Sequence, residues 1–224
     1  MNISPATLSL LVSLTSTAVV LPVGLVSAWW LSRSQNRPKI KLVVETLLLA
    51  PIVMPPTVLG YALLMLLGNG TEFGRWVNSS LGIHLVFTWQ AAAIAAFVMS
   101  FPLFIRPVSA AFEEVDQEMI ESARTLGSTE FDIFIKLIIP ISVRAILVGL
   151  TLAFARALGE FGATMMVAGN IEGKTQTLPL ALFSSAESGN DQQARTFAFS
   201  LAIVAFVLTG VVSVLSRRSV GRTK

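Results

Sequence analysis

The sequence predicts an all-α protein that crosses a membrane several times. Hydrophobic residues make up 54% of the 224 residues and charged residues only 13%, whereas a soluble domain carries about 25% charged residues. The apolar residues are gathered into runs of the length that a transmembrane helix needs, about 20 residues. The chain contains no cysteine, which excludes disulfides and cysteine-based metal sites. Its length fits one domain, 1–224, embedded in the membrane.

Five apolar runs are long enough to cross a bilayer. They lie at about 7–31, 43–67, 86–110, 141–168 and 196–216. No Lys or Arg precedes the first run and it is too long for a signal peptide, so we interpret it as a retained span with Trp29 and Trp30 at the membrane interface. A shorter apolar piece at 178–184 predicts an interfacial or re-entrant helix, with a sixth span as the alternative.

The distribution of Lys and Arg predicts the orientation of these spans. Twelve of them follow the first span, flank the loop after the third, or follow the fifth, and only three lie on the opposite side. Because cytoplasmic loops carry the excess of basic residues, we expect an external N-terminus, a cytoplasmic C-terminus and a cytoplasmic loop at about 111–135. Basic clusters between apolar runs indicate membrane topology and contact with lipid, and they do not indicate nucleic-acid binding.

The loop contains an unusually polar stretch, ESARTLGSTEFDIFIKLIIP, at 121–140. Asp116 is a predicted N-cap and Gly127 suits the left-handed position that ends a helix, so the pattern predicts a short helix over 117–126. Its apolar face comprises Met119, Ile120, Ala123 and Leu126. Ser128 is expected to cap a second helix beginning near Glu130, which Pro140 interrupts or kinks.

A short capped helix with an apolar face, held between two spans, is suited to dock into a groove of a partner. The alternative is a helix that lies on lipid headgroups. Seven carboxylates lie between Glu113 and Asp132, and such an acidic segment is repelled by anionic lipid. The composition therefore favours docking to a protein.

The same stretch matches the spacing of a known motif. Permease subunits of bacterial ABC importers carry a cytoplasmic E-A-A-x3-G-x9-I-x-L-P motif, which Glu121-Ser122-Ala123, Gly127 and Leu137-Ile138-Ile139-Pro140 follow with conservative departures at three positions. The chain thus resembles these permeases. Three further segments, LLLAPIVMPPTVLGYALL, AAFVMSFPLFIRPV and LAFARALGEFGATMMVAGNIEGKTQTLPLALF, are most similar to the molybdate branch, with tungstate and sulfate permeases as close relatives.

The resemblance implies a type I permease fold in the inner membrane and a transport subunit that is not an enzyme. It implies a homodimer with the pathway at its interface, two ABC ATPase subunits that hold ATP and Mg, and an external binding protein. The cargo is expected to be molybdate, with tungstate or sulfate/thiosulfate as alternatives, and this chain needs no cofactor of its own. In such permeases the polar stretch is the coupling helix, so the expected ATPase-docking residues are Met119, Ile120, Glu121, Ala123, Leu126 and Gly127.

Other residues are expected to line the translocation pathway. Arg156 and Glu160 lie four apart in the fourth run, hence on one helix face, and charged residues inside a span are functional candidates. They form either a gate or a structural ion pair between helices. Pro55 and Pro56 in the second run, and Ser100 before a proline in the third, mark broken helices, which face a pathway or subunit interface or bend only for packing.

Two further features bear on the class of protein. The segment GNIEGKT at 169–175 lacks the G-x4-G-K-[ST] spacing of a phosphate-binding loop, so any ATPase activity belongs to another subunit. The single histidine, His84, is expected to be solvated or interfacial, and no residue cluster predicts a catalytic or metal site. The rival functions are a secondary transporter or channel with Arg156 and Glu160 as an ion relay, and a membrane anchor without a pathway.

Overall fold

The computed structural model describes residues 3–33, 38–81 and 85–220, and every regular element in these ranges is helical. His84 and three of the counted basic residues, Arg37, Arg222 and Lys224, lie outside the described residues. The elements are α1 (Pro5–Arg33), α2 (Pro38–Val53), α3 (Pro56–Leu67), α4 (Glu72–Leu81), α5 (Trp89–Glu113), α6 (Gln117–Thr125), α7 (Glu130–Ile133), a π-helical turn (Phe134–Ile138), α8 (Ile139–Ile141), α9 (Val143–Leu158), α10 (Gly162–Ala168), α11 (Leu178–Glu187) and α12 (Asp191–Val220).

Within the described residues, three helices are individually long and apolar enough to cross a membrane: α1, α5 and α12. Two bent pairs pass the same test together: α2 with α3, and the segment Glu130–Ile141 with α9. The chain therefore has three to five candidate crossings, and the predicted five correspond to counting each bent pair as one. The piece at 178–184 belongs to α11, whose 10 residues are too few to span a bilayer.

The second predicted span is not one kinked helix. The chain bends by 115° between its halves α2 and α3. Pro55, which lies between them, has an extended backbone, with φ −56° and ψ 131°. A residue that precedes a proline is driven away from the helical region, so Pro56 forces Pro55 out of the helix. Pro56 itself is accommodated in the first turn of α3, where its missing N–H costs nothing.

The fourth predicted span is also interrupted. Ser142 separates α8 from α9, at a bend of 75°, and residues 159–161 separate α9 from α10. Pro140 precedes the first interruption by two residues and offers no N–H to the carbonyl of Lys136. The preceding turn widens to a π-helical turn, as occurs where the regular ladder of hydrogen bonds is disturbed.

Helices α1, α5 and α9 pack together at the centre of the chain. The fully buried ring of Phe104 in α5 lies against Gly24 of α1 and Gly149 of α9. A Cβ atom at Gly149 would lie 3.1 Å from this ring, and the backbone at Gly24 has no room for one. Small residues let helices approach closely in a membrane. Here they allow close packing of α5 and α9, the two helices between which the polar loop lies.

Trp29 is half-buried and Trp30 is exposed at the end of α1, and their predicted place at the membrane interface stays a prediction. The Trp29 ring stacks on Phe134 in the π-helical turn, with ring centroids 4.6 Å apart and an interplanar angle of 16°. Such stacking adds to the burial of two large apolar surfaces. It joins the end of α1 to the segment that follows the polar helix.

Candidate functional site

The polar helix α6 begins at Gln117, as its sequence predicts, and ends at Thr125, one residue before the predicted end at Leu126. The Asp116 carboxylate accepts a hydrogen bond of 2.9 Å from the backbone N–H of Glu118, which satisfies a free donor of the first turn. At the other end Gly127 has φ +85°. The N–H groups of Gly127 and Ser128 donate to the carbonyls of Arg124 and Ala123, a Schellman ending that favours glycine.

The next helix, α7, begins at Glu130 as the sequence predicts, but its N-cap is not the expected residue. Thr129, and not Ser128, is its N-cap, and the Thr129 hydroxyl accepts a hydrogen bond of 3.1 Å from the N–H of Asp132. The reason is that Ser128 is the last residue of the Schellman ending of α6. Only two residues, Ser128 and Thr129, therefore separate Gly127 from α7, which makes the connection between the helices short and rigid.

The apolar face of α6 is divided between the protein and solvent. Ile120 is only 1% exposed and packs with Val115, Ile133 and Phe134. Its expected place on the docking face is therefore wrong, because the residue anchors α6 to its own chain. Met119 and Leu126 do project outward, and Leu126 is 86% exposed.

Three of the seven carboxylates form ion pairs among the described residues. Glu113 lies 2.7 Å from Lys41, Asp132 lies 2.5 Å from Lys136, and Glu130 lies 2.6 Å from Arg124. The hydrogen bond to Glu130 raises the pKa of Arg124 above its usual value. This third pair joins α6 to α7. Together with the burial of Ile120, it holds α6 against the rest of the chain.

Four residues of α6 and its C-cap form the surface that we call the coupling face: Glu118, Met119, Glu121, Ala123 and Leu126. The two glutamates are exposed and Ala123 is half-buried. A groove of about 550 Å³ between α6 and the π-helical turn continues this surface. An apolar centre with an acidic edge is suited to a protein partner.

The two predicted charges of the fourth run form an ion pair, with Arg156 Nη1 and Glu160 Oε2 2.6 Å apart. The prediction that both lie on one helix is wrong for Glu160, which lies in the break between α9 and α10. Its other oxygen accepts a hydrogen bond of 2.7 Å from the N–H of Ala163 in the first turn of α10. Its side chain is 1% exposed, against 27% for Arg156.

The expected pathway residues are only partly brought together. Pro56 lies beside Gly162, two residues after Glu160, since a Cβ added to Gly162 would lie 3.0 Å from the Pro56 Cβ. Pro55 is exposed at the bend between α2 and α3. Ser100 lies elsewhere, fully buried between α5 and α1, with its hydroxyl 3.4 Å from that of Ser16.

Sequence reasoning missed the contact that holds α10 in place. Gly60 of α3 packs directly on Ala163, so closely that an added Cβ would lie 2.6 Å from the Ala163 Cα. The only signal was the abundance of small residues in VLGYA and EFGAT, a composition typical of close helix contacts in membranes. The start of α10 is therefore held both by the Glu160 carboxylate and by the backbone of α3.

The fold is similar to that of two solved transporters. One is described as an amino acid ABC transporter with histidines (TM-score 0.61, 19% identity, covering 96% of this chain and 92% of that one). The other is the MetNI methionine ABC transporter in an inward-facing conformation (TM-score 0.65, 18% identity, covering 94% and 90%).

Closer relatives are found by sequence. The molybdenum transport system permease proteins ModB of Haemophilus influenzae and Escherichia coli K12 are 34% and 37% identical to this chain, over 99% and 96% of it and 98% and 95% of their own length. The sulfate transport system permease protein CysT of Escherichia coli K12 is 31% identical over 87% of this chain and 69% of its own.

These findings confirm the resemblance to importer permeases and identify a transport subunit that is not an enzyme. A family model, described as the binding-protein-dependent transport system inner membrane component, matches residues 20–223. The chain therefore belongs to the family of inner-membrane components of binding-protein-dependent transport systems and is a multi-pass membrane protein.

Proposed function

We propose that the chain is the permease subunit of an ATP-driven importer that moves molybdate into the cytoplasm by alternating access. The observation that carries this proposal is the similarity to molybdenum permeases along nearly the full length of both proteins. The sulfate relative is less similar and only 69% of its length is covered. Tungstate resembles molybdate in charge and shape, so it is the competitor to test first.

The partner proposed for the coupling face is an ABC ATPase, with one ATPase subunit for each of two permease copies. This chain has no phosphate-binding loop by spacing, so ATP and Mg²⁺ belong to the ATPase. Two features support the docking role. The burial of Ile120 and the Arg124–Glu130 pair hold α6 in a fixed orientation, while Met119 and Leu126 project outward. A preorganised surface loses little entropy on binding.

Movement of the ATPases would reach the membrane through a short series of contacts. Rigid helix α6 is joined to α7, and the π-helical turn is stacked on α1 through Trp29 and Phe134. The break at Ser142 then leads into α9, which carries Arg156 near its end. Rigid-body motion about a few hinge residues is the usual form of such transitions, and Ser142 is the hinge proposed here.

The pathway is proposed to run along an interface between two copies of the chain. No residue of α2 is buried within the described part of one chain, and the apolar window of α12 is likewise unburied. Lipid and a second copy would cover these faces, since large apolar patches mark such contacts. Pro55, Pro56 and the partly exposed Arg156 are the proposed lining, with Glu160 holding Arg156 in position.

The proposed orientation has the N-terminus outside and the C-terminus and coupling face in the cytoplasm, in the inner membrane. It follows from the excess of basic residues on one side. An external binding protein would then deliver the oxyanion to the side opposite α6. Selection among oxyanions is assigned to that protein, because Arg156 is the one cation within the five predicted spans away from their ends.

The test is uptake of radiolabelled molybdate into proteoliposomes that contain this chain, a candidate ATPase and the cognate binding protein. Uptake should require internal Mg-ATP and should be inhibited by tungstate at lower concentrations than by sulfate. An ATPase-site variant of the partner is the matched control. Uptake without ATP, driven by an ion gradient that an ionophore abolishes, would instead identify a secondary transporter.

A further inference from the structure

Helix α4 is a short amphipathic helix that lies outside the central bundle and packs mainly against α3. Phe73 and Trp76 lie three residues apart, and hence on one face, with ring centroids 6.4 Å apart. They are 48% and 59% exposed. Two large aromatic side chains on one unpartnered face are costly in water, which raises the question of what covers them.

The start of α4 is fixed to the end of α3. The Thr71 hydroxyl donates a hydrogen bond of 2.7 Å to the Leu66 carbonyl and accepts one of 3.0 Å from the N–H of Gly74. Gly74 lies so close to the carbonyl of Gly68 that no Cβ would fit. The aromatic face is therefore held in one direction relative to α3, unlike a side chain on a mobile loop.

The position of α4 along the chain defines its level in the membrane. It begins five residues after α3 ends at Leu67. Leu67 belongs to the same buried cluster as Ala91 at the start of α5, so α4 lies at the end of α5 opposite the one that leads into α6. The side chains of Tyr61, Met65 and Leu66 on α3 are exposed, as are the aromatic residues of α4. Exposed large apolar side chains are thus present on both α3 and α4.

The composition of α4 fits the interfacial layer of a bilayer. Trp and other aromatic residues are enriched at the level of the headgroups, and interfacial helices combine an apolar face with a polar one. Phe87 is also exposed, next to the start of α5 at the same end of the bundle. Helix α4 contains one acid, Glu72, and one base, Arg75, so its charge gives no preference for anionic lipid.

We propose that α4 is a lipid anchor that lies in the interface of the leaflet opposite α6, with Phe73 and Trp76 inserted at the boundary between headgroups and acyl chains. It holds the end of α3 at a fixed depth. Because Gly60 of the same helix packs on the start of α10, this anchor also steadies the segment that carries Glu160. The proposal concerns a surface distant from the coupling face, so it does not depend on the identity of the cargo.

The absence of cysteine from the chain permits a direct test by spin labelling. Trp76→Cys and the matched control Arg75→Cys, which points away from Phe73 by helix geometry, are labelled with a nitroxide in the assembled complex in phospholipid nanodiscs. Power saturation compares collisions with oxygen, which is concentrated in lipid, and with a water-soluble nickel chelate. We expect oxygen to dominate at position 76 and the nickel chelate to dominate at position 75.

Equal access of the nickel chelate to both positions would overturn the proposal, because α4 would then lie in water. Exclusion of both reagents from position 76 would also overturn it and would indicate a protein contact, with a second copy or with the binding protein. A second measurement keeps the native aromatic residue. The tryptophan fluorescence that is lost in Trp76→Phe should be quenchable by lipids brominated near the headgroup, and unquenched fluorescence would contradict lipid insertion.

Discussion

Removal of either member of the Arg156–Glu160 pair should have unequal consequences. Arg156→Met leaves a carboxylate that is 1% exposed with one remaining partner, the N–H of Ala163. Glu160→Gln leaves an arginine that is 27% exposed and can be hydrated in the proposed pathway. The glutamine oxygen can still accept the hydrogen bond that caps the start of α10.

The magnitudes follow from these environments. An uncompensated buried charge costs about 3–5 kcal/mol, so Arg156→Met should lower the folding equilibrium constant on the order of a hundredfold or more. Loss of one hydrogen bond between charged groups costs about 1.5–3 kcal/mol. This range is the destabilisation expected for Glu160→Gln. Glu160→Ala also removes the cap and should cost about 1 kcal/mol more. The double variant Arg156→Met/Glu160→Gln should recover most of the loss.

The assay is thermal unfolding of the detergent-solubilised complex, scored as the fraction that elutes intact in size-exclusion chromatography, together with anion uptake. The expected order of stability is wild type, Glu160→Gln, Glu160→Ala, Arg156→Met. If Arg156→Met were as stable as the wild type, or no less stable than Glu160→Gln, the asymmetry argued from burial would be wrong. Reduced uptake by a stable Glu160→Gln variant would support a gate at this site.

Three further outcomes are expected. Cysteines at Gly70 and Asn190 should be labelled from outside intact cells and one at Gln117 only after permeabilisation; labelling of position 117 in intact cells would refute the orientation. Gly127→Val should weaken ATPase co-purification, because a left-handed backbone costs a side chain about 1–2 kcal/mol. Gly127→Asn should retain more of the ATPase. Equal yields of co-purified ATPase from both variants and the wild type would show that this turn has no role in docking. Gly60→Ala should destabilise the complex by about 1–3 kcal/mol through contact with the backbone of α10, with the unhindered Gly70→Ala as its control.

The ends and breaks of helices were determined by the sequence, because they depend on groups only a few residues apart. Asp116 satisfies a free N–H two residues away, and Gly127 adopts a left-handed backbone that other residues avoid. The pair Pro55–Pro56 predicts a break for the same reason, but not its angle of 115°. Helix α3 packs on α10 through Gly60 and Ala163, which are more than a hundred residues apart in the chain, and local spacing does not specify such a contact.

The direction in which side chains point was decided by the tertiary structure. Ile120 and Met119 are adjacent and equally apolar, yet Ile120 is buried and Met119 exposed, because α6 packs against Phe134 on one side only. The spacing of Arg156 and Glu160 predicted a pair on one helix face, but the helix ends between them. Local spacing specifies which residues can meet, whereas burial, and with it the cost of each charge, depends on what the rest of the chain packs around them.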